Sequence, residues 1–250
     1  MKTGVRDAAN ILDAASVLFV HAHPDDETIS TGALIAEFVA SGRTVWLLTA
    51  SRGERGEVVA GPLSGLEGTA ELTREREREL DMATAVLGIT QRFWLGEPPA
   101  RAAGLAPRRY LDSGMEWIRP GLAGPAADSD DAALAVAPLD EVTADIAALI
   151  AHLQPALVVS YDDNGGYGHP DHVRVHDATV LASRSSRVSF AEVHHEQAAD
   201  VAWLDLDTHF DTVSAALQCH ASQLTVHGTD IVHSGGQREP IMTSVGVKLH

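Results

Sequence analysis

His21, His23, Asp25, Asp26 and Glu27 stand together in the stretch HAHPDDE. A second cluster, Tyr167-Gly168-His169-Pro170-Asp171-His172, lies far along the chain. Zinc takes imidazole nitrogen and carboxylate oxygen, and a catalytic zinc site uses three protein ligands and keeps one position open. His23 and Asp26, three apart on a turn stiffened by Pro24, can face one ion. The second cluster supplies a further imidazole and a carboxylate to orient it. Asp25 and Asp26 are adjacent, so one can ligate and the other act as base; residue types alone leave the choice open. Either cluster by itself would also serve as a turn and helix cap, because Asp and Thr are common at helix starts. The pair is harder to read that way. Iron(II) also accepts two histidines and one carboxylate.

Both clusters must be carried by rigid elements. SVLFVHA, residues 16–22, is a short apolar run that reads as a buried strand and ends at the first cluster. A helix is predicted over 31–41, closed by Gly42, and a second strand over 44–49. Residues 51–68 read as loop and 69–88 as a helix whose TRERERE run forms a solvated face. A short strand follows at 92–95. The stretch 96–138, rich in Pro, Gly and Ala, reads as an insertion forming a rim or lid, poorly ordered around 126–135. A helix over 139–153 leads to a strand at 156–161, which ends at the second cluster; a helix at 173–182 follows. Asp162 and Asp163 read as turn residues. This alternation predicts a single α/β domain over 1–250: a Rossmann-like, mostly parallel sheet with helices on both faces. Ligands of such sheets bind beyond the carboxyl ends of the strands. Adjacency of the strands before the two clusters would bring the clusters together.

Composition narrows the function. Eighteen Lys and Arg against thirty-five Asp and Glu give a net charge of −17, a surface that repels phosphate backbones and anionic lipid. Nucleic acid and membrane are therefore not expected as partners, and no segment approaches the roughly 20 apolar residues of a membrane span. The single cysteine, Cys219, excludes an internal disulfide and suits a cytoplasmic setting. It falls in a helical pattern over 213–224 and reads as a packed thiol. The first sixteen residues show no apolar run of signal-peptide length. His194, His195, His209, His220, His227 and His233 lie in no ligand-like spacing, and surface or core places are expected for them.

The chain resembles the PIG-L/LmbE family of zinc-dependent de-N-acetylases. HAHPDDET and GGYGHPDH carry the resemblance; SRGERGE at 51–57, LGI at 87–89, LDSGM at 111–115 and ALQCHASQLTV at 216–226 support it. Within the family the likeness is to members that deacetylate N-acetylglucosaminyl-inositol in mycothiol synthesis. The resemblance implies that His23, Asp26 and His172 bind Zn2+, or Fe2+ in its place. It implies Asp25 as general base on the attacking water and His169 as the group that protonates or stabilises the tetrahedral intermediate. It implies Tyr167 to polarise the amide oxygen and Asp171 to support His169 or a ligand. Arg76 and Asp112 would contact substrate hydroxyls, with Ser30 near the pocket where conjugate amidases carry a lysine. The implied substrate is a small N-acetylated amino sugar, with a larger mycothiol conjugate or a natural product as alternatives; a catalytically inactive sugar-binding module would be expected to lack Asp25 or a ligand. A homo-oligomer is compatible with all of this. The segment after residue 230 and the 96–138 stretch depart from the family pattern, and both would border the substrate.

Overall fold

A computed structural model describes residues 11–119, 122–124, 126 and 131–250. The opening ten residues, where no signal-peptide pattern is expected, and 127–130 of the stretch read as poorly ordered lie outside them. In chain order the elements are β1 (Ser16–His21), α1 (Asp26–Ala40), β2 (Thr44–Thr49), α2 (Ala70–Leu87), β3 (Gln91–Trp94), β4 (Glu116–Arg119), β5 (Leu122–Gly124), α3 (Leu139–Leu153), β6 (Leu157–Tyr161), α4 (Pro170–Ser186), β7 (Ser189–His194), β8 (Ala202–Asp205), α5 (Phe210–Leu217), β9 (Leu224–His227), β10 (Asp230–His233), β11 (Arg238–Pro240) and β12 (Ser244–Leu249).

Among the described residues the main sheet has seven strands in the order β3-β2-β1-β6-β7-β12-β8. The five strands from β3 to β7 run parallel, and β12 pairs antiparallel with both β7 and β8. Sequence alternation in β1 explains why helices cover both faces. Val17 and Phe19 join a core with Leu34, Ile35 and Phe38 of α1 and Val213 of α5, whereas Leu18 and Val20 join another with Ile146 of α3 and Val175 of α4. Side chains of a strand point alternately to opposite faces, so an unbroken apolar run serves two cores at once. After β1 the chain moves outward to β2 and β3, then returns to place β6 on the other side of β1. The direction of winding reverses between β1 and β6, and this switch point is where such sheets bind ligands.

The expected elements are present, with corrections. The helical pattern over 213–224 holds only to Leu217, so Cys219 lies just past α5 and Leu224 opens β9. The helix expected over 173–182 spans Pro170–Ser186. Three more changes bear on the site. α1 begins at Asp26 rather than Thr31, so a proposed ligand sits in its first turn. TRERERE is not a solvated face throughout: Thr73, Arg76 and Glu79 are buried, and their spacing of three residues puts them on one side of α2. Glu79 accepts from the Ser222 amide and hydroxyl, each at 2.7 Å. The 96–138 stretch is not simply a lid. Ala100, Tyr110, Leu134 and Ala137 belong to the second core, and Asp145 of α3 anchors the Arg101–Tyr110 part of the stretch. Its carboxylate, fully buried, accepts from Arg101 Nη1 (2.9 Å), the Ala102 amide (2.7 Å) and Tyr110 Oη (2.8 Å). An Asp145→Ala change leaves the buried Tyr110 hydroxyl and the Ala102 amide without their acceptor, and Arg101 with Glu141 as its remaining carboxylate. A loss of about 3 kcal/mol is expected in urea unfolding; a loss under about 1 kcal/mol would show that the anchor carries little. Among the described residues no helix is long and apolar enough to cross a membrane.

Candidate metal centre

The two polar clusters meet at the ends of β1 and β6, as the strand adjacency requires. The loop after β1 turns back at Asp25, whose φ of 116° is unusual for a residue with a Cβ. Its backbone carbonyl accepts from the amides of Thr28 and Ile29, each at 2.9 Å, which starts α1. Asp25 sits at the N-cap yet its side chain makes no cap hydrogen bond. The carboxylate is turned to Arg76, 3.1 Å away. Arg76 also donates to Pro24 O (2.6 Å) and Gly53 O (2.7 Å), clamping the turn from α2. Burial pushes the Asp25 carboxyl up to about 6, against the pull of the Arg76 guanidinium. A carboxylate in that range suits a base working near neutral pH.

Three donor atoms converge beside it. His23 Nδ1 lies 3.4 Å from Asp26 Oδ2 and 3.3 Å from His172 Nε2, and His172 Nε2 lies 3.3 Å from Asp26 Oδ2. With zinc–ligand bonds of about 2.0–2.1 Å, two corners of a tetrahedron are about 3.3–3.4 Å apart. The triangle therefore has the edges of one face of a tetrahedral zinc site. The outward nitrogens are held as metal-bound imidazoles usually are. His23 Nε2 meets Asp171 Oδ2 at 3.1 Å, and His172 Nδ1 meets the Gly165 carbonyl at 3.1 Å. Asp171 is fixed by the Ser113 amide (2.9 Å) and hydroxyl. Tyr161 Oη donates to Asp26 Oδ2 (2.7 Å) and accepts from the Ala22 amide (2.8 Å). Burial opposes charge here, but Asp112, Asp171 and Asp26 outweigh it and hold the His23 imidazole well above its ordinary range. The carboxylates thus favour a cation at this point. Looser donor groupings, within 4.8 Å, join His169 to His23 and His172, and His23 to Asp112, His169 and Asp171.

His169 caps α4, its Nδ1 accepting from the Asp171 amide at 3.2 Å. That bond leaves the ring proton on Nε2. Burial, with His23 and His172 nearby, lowers its pKa to about 3, so the ring is neutral. Its centroid is 4.7 Å from that of His23 and 4.8 Å from that of His172. Tyr167 stands at the rim, 56% exposed, its ring 5.2 Å from His172. Asp112 lies under the site, Oδ1 3.6 Å from His23 Nε2, and accepts from the amides of Gly114 (2.8 Å) and Arg55 (3.3 Å). Ser30 is half-buried one helical turn beyond Asp26, and among the described contacts none joins it to the cluster.

Some members of the site were not anticipated from sequence. Tyr161 reads only as a strand residue, although an aromatic hydroxyl at the end of a buried strand must find a partner. Ser113 stands in LDSGM without any spacing that marks it. His220, expected in a surface or core place, is fully buried and bonds Glu27 Oε1 at 2.9 Å; Glu27 Oε2 accepts from the Asp25 amide at 3.0 Å. Cys219 is half-buried against the first core, as a packed thiol should be. Asp162 serves its turn, Oδ1 accepting from the Gly166 amide at 2.8 Å.

The chain is thus a mostly parallel α/β sheet protein with a buried His/Asp triangle at its switch point, a donor set that a divalent metal would fit. The chain belongs to the PIG-L family, described as GlcNAc-PI de-N-acetylase, whose model matches residues 18–183. It is 47% identical over 166 residues to a 1D-myo-inositol 2-acetamido-2-deoxy-alpha-D-glucopyranoside deacetylase of Kineococcus radiotolerans, covering 66% of this chain and 44% of that protein. It is 35% identical over 253 residues to the protein of the same name from Mycolicibacterium vanbaalenii, covering 86% and 83%. The first matches to curated relatives span about half of their length: 44%, 55% and 53%. In fold it is similar to the N,N'-diacetylchitobiose deacetylase of Pyrococcus horikoshii, with a TM-score of 0.57, 20% identity, and 86% of this chain and 78% of that one covered.

Proposed function

We propose that this protein is a divalent-metal-dependent hydrolase that removes the acetyl group from the nitrogen of an amino sugar, of the N-acetylglucosaminyl-inositol type. The observation that carries the reading is the triangle of His23 Nδ1, Asp26 Oδ2 and His172 Nε2 with edges of 3.3–3.4 Å, flanked by a base and a neutral hydrogen-bond donor. The names of the relatives supply the substrate class. Two nitrogens and one oxygen suit zinc and also iron(II). A divalent ion held there polarises the amide carbonyl and acidifies water. Asp25 Oδ takes the proton of the attacking water, at a pKa that burial sets near neutrality. Arg76 acts through Asp25 by fixing its turn. His169 Nε2–H donates to the tetrahedral intermediate, and Tyr167 Oη, at the mouth, turns to the amide oxygen. Asp171 orients His23 rather than His169, and Asp112 anchors the loop that borders the sugar. Ser30 keeps only a place near the pocket.

Purified protein incubated with N-acetylglucosaminyl-inositol is expected to release the free amine, and with a bulkier mycothiol conjugate to release little. Release from the conjugate alone would replace the acetyl reading with an amidase; no release from either would end both. Asp171→Asn is expected to weaken metal binding by about 10–100-fold, the usual cost of losing a carboxylate behind a ligating imidazole. Metal competition with a chelator measures it, and an unchanged affinity would remove Asp171 from this role.

A further inference from the structure

The hairpin of β10 and β11 has two unlike faces. Glu239 pairs with Ile231 across the strands, and cross-strand partners share a face. His233, two residues past Ile231, falls on that face too. Ile231 is buried in the first core. The other face carries Val232 and the Arg238–Asp230 ion pair, 2.6 Å apart. His233 and Glu239 are therefore a polar pair on the inward side of the hairpin, with His233 Nε2 2.9 Å from Glu239 Oε1. The pair is not sealed there, since the two side chains are 32% and 47% exposed. The turn that joins them is closed by the His233 amide on Gln237 O and the Gly236 amide on His233 O, each at 2.9 Å.

We propose that His233 and Glu239 are specificity-determining residues that bind a neutral polyhydroxyl ring, the part of the substrate beyond the amino sugar, a role that rests on the amino-sugar deacetylase reading.

Three observations carry it. First, the hairpin borders the metal centre. Ser234 Oγ donates to Glu57 Oε2 at 3.0 Å. Glu57 belongs to the loop whose Glu54 accepts from the Asp112 amide at 3.1 Å and whose Gly53 carbonyl holds Arg76. From the other side comes His195, just past β7: a Cβ on Gly166, the neighbour of Tyr167, would lie 4.0 Å from its Cδ2. Second, the charges face that opening. Glu239 raises the His233 pKa against burial, and the Asp25 carboxylate adds to the effect. His233 holds the Glu239 carboxyl below its ordinary range, and His195 contributes. The pair thus stands within electrostatic reach of both Asp25 and His195. Third, the pair keeps open the atoms that a diol needs. His233 Nε2 uses Glu239 Oε1, and among the described contacts none engages His233 Nδ1 or Glu239 Oε2. A carboxylate oxygen accepts a hydroxyl proton, and a protonated ring nitrogen donates to a hydroxyl oxygen. Neighbouring hydroxyls of one ring can therefore meet both. A phosphorylated ring would be repelled by Glu239, by Asp25 and by the net charge of −17.

Steady-state deacetylation of N-acetylglucosaminyl-inositol and of free N-acetylglucosamine, which lacks the second ring, tests the site. Glu239→Ala and His233→Ala are expected to raise KM for the two-ring sugar by about 10–100-fold, the range for a hydrogen bond to a charged group. With kcat unchanged, that is the signature of lost ground-state binding. Neither variant should change kcat/KM for N-acetylglucosamine. Arg238→Ala, on the outer face of the same hairpin, should change neither sugar. Equal losses on both sugars, or none on either, would overturn the proposal. Calorimetry of the zinc-loaded protein with the products, glucosaminyl-inositol and glucosamine, gives a second readout that needs no turnover. Glu239→Ala should weaken binding of the first by the same factor and leave the second alone. A wild type that hydrolyses neither acetyl sugar would refute the deacetylase reading, whereas a selective loss of glucosaminyl-inositol binding in Glu239→Ala would still uphold this site. Equal binding of that product by wild type and variant, or none by the wild type, would overturn it.

Discussion

Asp25→Ala is expected to keep its metal and to lose about 10²–10⁴ in kcat, the usual share of general acid–base catalysis. Asp26→Ala, one residue away, should lose metal instead. The geometry separates them. Asp26 Oδ2 is a corner of the donor triangle. The Asp25 carboxylate faces Arg76 and completes no corner. Had both acids been helix caps, each loss would cost about 1 kcal/mol of stability and nothing else; Asp25 makes no cap bond. A third variant sharpens the test. At φ 116° a Cβ is strained, at a cost of order 1–3 kcal/mol. Asp25→Gly should therefore match Asp25→Ala in lost activity but unfold at higher denaturant than Asp25→Ala. The extra entropy of a glycine in the unfolded chain, about 0.5–1 kcal/mol, offsets part of the gain. Metal lost from Asp25→Ala and kept by Asp26→Ala would reverse the two roles.

His220→Ala should be among the most damaging changes outside the donor triangle. His220 and Glu27 are both fully buried, with Nε2 to Oε1 at 2.9 Å. Burial alone would lower the His220 pKa and raise that of Glu27; each holds the other the opposite way. Removing the imidazole leaves a carboxylate in the interior with no counter-charge, worth about 3–5 kcal/mol. Urea unfolding measures it. The Glu27→Gln/His220→Ala double variant should recover part of the loss, because no bare charge remains. Activity should fall too, since Glu27 Oε2 holds the Asp25 amide. A loss below about 1 kcal/mol would mean that water or a neighbour already screens Glu27.

The site was readable from sequence where chemistry and chain order coincide. HPDDE and HPDH each follow a short apolar run, so their strand-end placement needs only local pattern, and β1–β6 adjacency then brings His23 and His172 together. Local pattern fails for groups whose partners are distant. Nothing beside Tyr161, Ser113 or His220 says that their polar atoms meet Asp26, Asp171 and Glu27. Arg76 and Glu79 hid inside a charge run, although their period of three was available to mark a buried helix side. The strands after α4 were hardest. Arg238–Pro240 is exposed throughout, and the sequence reading assigns no strand to Ser244–Leu249, which enters the sheet antiparallel between β7 and β8.

That insertion governs how the nascent chain must assemble. β8 touches the main sheet only through β12, yet it emerges from the ribosome well before it. During synthesis β7 is therefore an open parallel edge, with unpaired amides and carbonyls of the kind that template association with other chains. β8 waits beside it without a neighbour until the last strand arrives to pair with both. The N-terminal strands can form early, as nascent domains do, but sealing of that edge is deferred until β12 has emerged. Nascent chains stalled before Ser244 should accordingly recruit chaperones through the β7 margin, while chains stalled far enough beyond Leu249 for β12 to have emerged should not.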